Sequence, residues 1–406
     1  MLISEGKMVF ILGFFLIALG FVQPLSALVI GTFWAVFFKR KAGLGVVLIA
    51  IGGATLGLHY VVSPSHDMAR YVTYMQAVSL VQSPYEFFKQ MYSALPISEF
   101  GLTGRDWPLS AAILYITGKF FDYRWLSAFT VFITLFTRIY LIVKTTEKSR
   151  FSTLQLAFLR LIFILLTIMM TTILRPASGF RWYLGSNVIL WIMYFDLFKN
   201  TRLNVWKISG MIIAGLLHPS MWIYAAIRVM AWLFTSVDKR IISKIFWGIV
   251  FFVGLVALLA SSRVAPLMNQ FWAYISGSDG FNVSTGTHIR FVVTFLVISI
   301  LFARIKTEKF RFERTDWIFL LSNYWMLLLS VPFFLFDRLY QLAVPLMFLY
   351  YGYILAGKKR FIVYDFVVIF AMFSLYVVFY AGGVYQLLPT LDKGVFEILI
   401  NPIWKF

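Results

Sequence analysis

The chain has 406 residues, 61% of them hydrophobic and 19% aromatic, and its mean hydropathy is +0.84. Charged residues make up 13%, against about 25% in soluble domains, which excludes an ordinary soluble enzyme or a tandem of soluble modules. The net charge of +19 suggests nucleic acid only until the basic residues are placed. Most lie in short loops beside apolar runs, which is the positive-inside pattern of membrane proteins, so no nucleic-acid partner is expected. With no cysteine in the sequence, disulfides, thiolate chemistry and cysteine-based metal sites are excluded.

Apolar runs of about 20 residues, each long enough to span a bilayer, alternate with short polar loops through most of the chain. The expected fold class is all-α: a polytopic integral membrane protein of about 12–13 transmembrane helices, forming one transmembrane domain over residues 1–406. The loops 39–41, 144–150, 199–207, 239–244, 304–314 and 358–360 are rich in Lys and Arg and are assigned to the cytoplasm. Each successive pair of these loops must be joined by an excursion to the far side and back.

In chain order, residues 8–38 carry Gln23 and Pro24 at their middle and form either one tilted helix or a short helical hairpin. The run continues past Pro24 without a small-residue cleavage site. Residues 43–62 cross outward. Residues 63–107 then form a first outer loop, with helical patches at 68–81 and 85–92 that suit the membrane interface. Residues 108–121 are apolar but short and read as re-entrant or interfacial, and 125–143 return. Residues 154–173 go out and 182–198 come back. Residues 208–233 lie between two inside loops and contain His218, Pro219 and Ser220. Two short helices meeting there at the outer surface satisfy the charge rule, and proline disfavours helix at the residue before it. Residues 245–261 go out, 262–288 form a second outer loop with a flexible tip at 276–280, and 289–303 return. Spans at 318–335, 339–355 and 362–380 leave the C-terminus outside.

This topology places Arg105, Arg175, Arg181, Arg263, Arg290 and Arg338 in outer loops or at outer helix ends, against the positive-inside bias. Guanidinium is planar, permanently charged and able to grip phosphate oxygens two at a time, so an outer collection of arginines suits an anionic ligand such as a diphosphate. Taken singly, each arginine can instead snorkel to headgroups or pair with a nearby acid such as Asp106 or Asp337. Arg181 and Arg338 stand out because each begins a span.

All four histidines fall on or near the outer side. His218, with an ordinary pKa near neutrality, can take a proton from a sugar hydroxyl; the plainer reading has its ring satisfying backbone groups freed by Pro219. Asp67 can act as an acceptor-activating base, with a local ion pair to Arg70 or a helix-start role as the alternative. His66 beside Asp67 lacks the converging ligands of a metal site, so neither metal nor cofactor is expected. Trp107, Trp182 and Tyr183 are interface anchors or stacking surfaces for sugar rings.

In this pattern the sequence resembles the EpsG/Wzy-like family of bacterial polysaccharide polymerases. The resemblance rests on Asp67, Arg70 and Tyr71 after an early span, on Arg181 at the head of a span, on the run Ala214, Gly215, Leu216, Leu217, His218, Pro219, Ser220, and on Asp337, Arg338, Leu339, Tyr340. Where family members commonly carry a Glu-Pro segment after the first outer loop, this chain reads Arg105, Asp106, Trp107, Pro108. The resemblance implies a GT-C-like helical bundle in the bacterial inner membrane that polymerises undecaprenyl-diphosphate-linked oligosaccharides on the outer face. Donor and acceptor would both be lipid-linked, and a chain-length regulator would be a further partner. It also implies roles: Arg181 and Arg338 on the diphosphate, His218 or Asp67 activating the acceptor, and Arg290, Arg263, Arg70 and Arg175 supporting glycan or phosphate. A flippase or transporter of lipid-linked glycans and an O-antigen ligase are the alternatives, and the sequence lacks the repeated halves common in transporters.

Overall fold

A computed structural model describes residues 5–38, 41–64, 67–81, 83–91, 107–171, 174–199, 204–222, 224–228, 285–306, 313–329, 336–356, 358, 362–383 and 391–402. Over these residues the chain is all-helical apart from connecting turns and an isolated antiparallel bridge between Tyr60 and Leu391. The segments 229–284 and 330–335 lie outside the described residues, and with them the expected span at 245–261 and nearly all of the second outer loop.

The first two helices, α1 (Glu5–Val22) and α2 (Pro24–Phe37), are separated at Gln23, with Pro24 at the first helical position of α2. There its missing N–H costs nothing and its fixed φ favours the helix. The third helix, α3 (Ala42–Leu58), decides between the two readings of this region. Gly13 faces Leu44 and Gly20 faces Leu48 and Ile51, whereas Gly31 faces Gly45 and Gly52 faces Pro24. Thus α1 runs parallel to α3 and α2 antiparallel to it: residues 8–38 double back as a hairpin.

The next elements are α4 (Asp67–Ser79), α5 (Pro84–Met91), α6 (Pro108–Phe120) and α7 (Tyr123–Thr146). Asp122 caps α7, its carboxylate accepting from the Arg124 N–H at 2.8 Å. At 24 residues, α7 is about 36 Å long. Among the described residues it is the one helix long and apolar enough to cross a membrane, by length and composition. Shorter apolar stretches of helix recur along the rest of the chain, among them 24–37, 42–58, 153–168 and 205–217.

The chain continues as α8 (Thr153–Thr171), α9 (Leu174–Ser178), α10 (Phe180–Phe198) and α11 (Val205–Leu217), then a 3-10 turn, Pro219–Met221. Beyond residue 284 come α12 (Thr285–Lys306), α13 (Arg314–Leu329), α14 (Phe336–Leu355), α15 (Val363–Gly383) and a short α16 (Val395–Ile400). One apolar core joins α7, α8, α10 and α12 to α15, and a second joins α2, α3, α4, α6 and α7. α7 belongs to both and ties the two together.

The described residues flanking the basic loops gather at one end of this bundle. The Arg150 N–H donates to Lys358 O at 2.8 Å. Lys148 lies over the Phe198 ring, next to Lys199. Arg160, wholly buried, donates to Ala35 O, Val143 O and the Thr146 hydroxyl. It thereby places positive charge on the carbonyl ends of α2 and α7, where the helix dipole favours it. The opposite end carries α4, α5, α6, α9 and the C-terminal segment. There Tyr123 donates to Tyr60 O at 3.3 Å, Ser127 to Ala177 O at 2.8 Å, and His59 Nδ1 lies 2.8 Å from the Asp392 carboxylate.

Buried charge is more abundant than the apolar runs suggest. Arg228, in the apolar run 208–233, is one of several buried cations. Asp196 pairs with both Lys207 (2.6 Å) and Arg228, and Arg304 with Asp365 (3.0 Å). Arg138 lies within α7 and donates to the Thr171 hydroxyl at 3.1 Å. These partners come from different helices, so no local pattern reveals them.

Candidate functional site

The head of α10 and the break after α11 come together at the end opposite the basic loops, and their approach starts with two small residues. A Cβ on Gly185 would sit 3.1 Å from Met221 and 3.3 Å from Ala214 O, so α10 and α11 cross closely one turn inward from Arg181. Ala214 O accepts the His218 N–H at 2.9 Å, the last α-helical bond of α11. His218 itself is extended, with φ −149 and ψ 120, as a residue before proline prefers. Gly215 is required on the same helix, since a Cβ there would fall 2.3 Å from the Trp222 ring. α6 fixes the third side: the Ser110 hydroxyl donates to Leu217 O at 2.8 Å.

These contacts bring Arg181 and His218 onto one side chain, that of Trp107. The indole stacks against the Arg181 guanidinium, 3.4 Å from ring centroid to Cζ, and against the His218 ring, 6.1 Å between centroids and 23° between planes. Trp182 meets the same imidazole edge to face at 5.2 Å. Arg181 is 7% exposed, Trp107 2% and Trp182 8%. The guanidinium is oriented by α4: its Nε donates to the Tyr71 hydroxyl at 2.7 Å and its Cζ lies 4.9 Å from the Tyr71 ring. Tyr71 in turn packs edge to face on Phe180. Cation–π contacts of this kind are worth about 1–2 kcal/mol when desolvated, enough to fix a side chain that would otherwise explore many rotamers.

His218 Nδ1 is 2.6 Å from the Ser220 hydroxyl, and the Ser220 backbone N–H donates to the same nitrogen at 3.4 Å. Nδ1 is therefore the accepting nitrogen, the hydroxyl donates to it, and the neutral ring carries its hydrogen on Nε2. Part of the plainer reading of His218 holds, since the ring satisfies a backbone N–H in the turn after Pro219. A second bond at the same nitrogen couples the imidazole to the Ser220 hydroxyl. Two polar atoms in this cluster, Trp107 Nε1 and Trp182 Nε1, are buried without a hydrogen-bond partner among the described residues. An unmade bond of that kind costs about 1–3 kcal/mol.

The other expected residues separate into four groups. Asp67 opens α4 and pairs with Arg70 at 3.8 Å, both about a third exposed, which is the local ion pair weighed for them; Asp67 lies one turn from Tyr71 on the same helix. Arg175 stands on α9, half-buried, its carbonyl accepting from the Gly179 N–H that precedes α10. Arg338 and Arg290 are placed by their helices. Phe198 meets Tyr353 at 5.4 Å, and Met193 and Leu197 share a small cavity with Leu346 and Tyr350, so α10 and α14 run parallel. That register sets the Arg338 backbone within about one turn of the level of Arg181. Arg290 is about 21 Å along α12 from Arg304, away from the basic end. Arg263, Arg105 and His66 lie outside the described residues.

Arg138 is the residue that sequence reading passed over. It sits about 22 Å from the start of α7, its guanidinium 5.3 Å from the Tyr183 ring, so a second cation lies one residue beyond Trp182 on the inward side of the cluster. A lone arginine in the run 129–143 is the signal that could have found it, since ionisable groups within such runs mark functional positions. No protein-family model matches the chain, nor does any curated protein or solved structure.

Proposed function

We propose that the chain is a polytopic inner-membrane glycosyltransferase, of about 12–13 spans, that polymerises undecaprenyl-diphosphate-linked oligosaccharides on the outer face. The observation that carries the reading is the indole of Trp107 in contact with both the Arg181 guanidinium and the His218 imidazole. A permanent cation and a titratable ring thus share one buried cluster at the end away from the basic loops. The described residues flanking those loops, at the other end, fit a cytoplasmic face.

The chemistry is a displacement at the reducing-end sugar of the donor. The acceptor hydroxyl oxygen attacks C1, the C1–O bond to the lipid diphosphate breaks, and the diphosphate leaves with the electron pair. Arg181 stabilises the charge that grows on the leaving oxygens, the help such a transfer most needs. Arg338, at the same level on α14, is the second guanidinium for the diphosphate, and Arg290 and Arg263 support the glycan. The acceptor proton passes to the Ser220 oxygen while the Ser220 hydrogen moves to His218 Nδ1, using the 2.6 Å bond already formed. Asp67, tied to Arg70, serves the acceptor side, and Arg175 supports the loop that starts α10.

The test is incubation of purified, membrane-reconstituted protein with a lipid-linked repeat unit, followed by gel analysis. The wild type is expected to give a ladder of lengthened chains, and Arg181→Ala and His218→Ala each to lower its yield by at least about a hundredfold, the scale of losing one transition-state donor or base. A lipid-linked unit that crosses the membrane without lengthening would identify a flippase and overturn the proposal. So would transfer of one finished chain to an unrelated acceptor without a ladder.

A further inference from the structure

The Trp107 and Trp182 rings were expected to anchor at the interface or to stack on sugars, but their surroundings assign them a different task. Trp107 is stacked by the Arg181 guanidinium at 3.4 Å and meets the His218 ring at 6.1 Å between centroids, while Trp182 has its own imidazole contact, edge to face at 5.2 Å. Each indole retains an Nε1–H without a partner among the described residues, on a ring more than nine-tenths buried. A buried indole N–H ordinarily finds an acceptor. Here the two rings that carry these donors both contact one imidazole, and Trp182 stands in the first turn of a 19-residue helix whose N-cap, Gly179, supplies no side-chain cap. The guanidinium, the N–H groups and the positive end of the α10 dipole add in sign, and the ligand that satisfies all three presents negatively charged oxygen.

We propose that Trp107 Nε1 and Trp182 Nε1 are ligand donors that form, with Arg181 and the head of α10, an oxyanion subsite. The two indoles make the site selective as well as attractive. A guanidinium alone accepts any nearby anion, whereas fixed neutral donors on rigid rings demand oxygens at set positions. The inference rests on the reading of this cluster as a substrate chamber and deepens it by naming which atoms choose the ligand. The oxygen can belong to the diphosphate of a lipid carrier, to the carboxylate of an acidic sugar, or to a phospholipid headgroup.

The experiment uses the full chain in phosphatidylcholine nanodiscs, titrated calorimetrically with inorganic pyrophosphate, a short-chain isoprenyl diphosphate, glucuronate and an uncharged disaccharide. Trp107→Phe and Trp182→Phe keep an aromatic ring at each position and remove the N–H donor, and the uncharged disaccharide controls for the smaller ring. Each is expected to weaken binding of one oxyanion by about tenfold, the scale of a hydrogen bond to a charged group, and to leave the uncharged sugar unaffected. Which probe responds names the source: either diphosphate points to the lipid carrier, and glucuronate to an acidic sugar. Suppression of pyrophosphate binding in phosphatidylglycerol nanodiscs points to a headgroup. Should a variant fail to fold, wild-type protein carrying 15N-tryptophan gives the same answer through indole N–H resonances that shift with the bound oxyanion. Oxyanion binding that both variants retain at wild-type strength, no binding of any oxyanion, or unmoved indole resonances would each overturn the proposal. A polymer ladder made by the wild type alongside donor-independent binding would sink the subsite and leave the polymerase reading intact. Donor-dependent binding without a ladder would do the reverse.

Discussion

Arg181 owes its position to Tyr71, on a helix more than a hundred residues away in the chain. The phenol accepts from Nε at 2.7 Å while its ring supports the guanidinium plane and rests on Phe180. Tyr71→Phe removes the acceptor and keeps the packing, so the guanidinium loses one of its fixed directions. The expected effect is a fall in polymer yield of about tenfold, the scale of one hydrogen bond to a charged group, with the melting midpoint nearly unchanged; wild-type yield would show that Tyr71 only fills space. At this scale the sequence was partly legible. Arg181, Trp182, Tyr183 and His218 could be picked out because each stands at the end of an apolar run, where a polar or amphipathic side chain needs a reason. The Tyr71–Arg181 bond and the contact of Trp107 with both Arg181 and His218 could not, because they join α4, the start of α6, α10 and the end of α11, and nothing in the local spacing of any one encodes the others. Arg138 was missed for the opposite reason: its neighbours are so apolar that the run reads as an unbroken span.

Between elements, α2 and α3 approach closely, and glycine makes it possible. A Cβ at Gly45 would fall 2.4 Å from Ala35 N and 2.4 Å from Gly31 O, both backbone atoms that cannot swing aside. Two residues away, a Cβ at Gly43 would meet only the Tyr140 ring at 3.6 Å. Gly45→Ala is therefore expected to cost about 1–3 kcal/mol or more as the helices are forced apart, lowering the melting midpoint, and Gly43→Ala to leave it unchanged. Equal midpoints for the two variants would contradict the crossing. Helix positions were legible because apolar runs, loop charges and prolines such as Pro24, Pro108 and Pro219 mark where helices begin and break. Whether 8–38 doubles back was not, since it depends on which glycines of α2 and α3 face each other. The C-terminal helix Val395–Ile400 went unread because six residues are too few to show a period, and it is held by Leu56 and by the pairing of His59 with Asp392.

On the scale of the whole molecule, the account separates two ends: the described residues that flank basic loops at one, the Arg181–Trp107–His218 cluster at the other. The proposed function requires that the second end face outward and hold the substrate. The natural absence of cysteine makes this directly measurable, because Ser220→Cys places a single thiol beside His218, where the hydroxyl now lies 2.6 Å from the ring. Intact cells would be treated with a membrane-impermeant thiol reagent, and isolated right-side-out vesicles treated again in the presence of the lipid-linked repeat unit. The account predicts labelling from outside without permeabilisation, and slower labelling when the lipid-linked unit is bound. A thiol that reacts only from the cytoplasmic side, or one whose outside labelling the lipid-linked unit leaves unchanged, would contradict it.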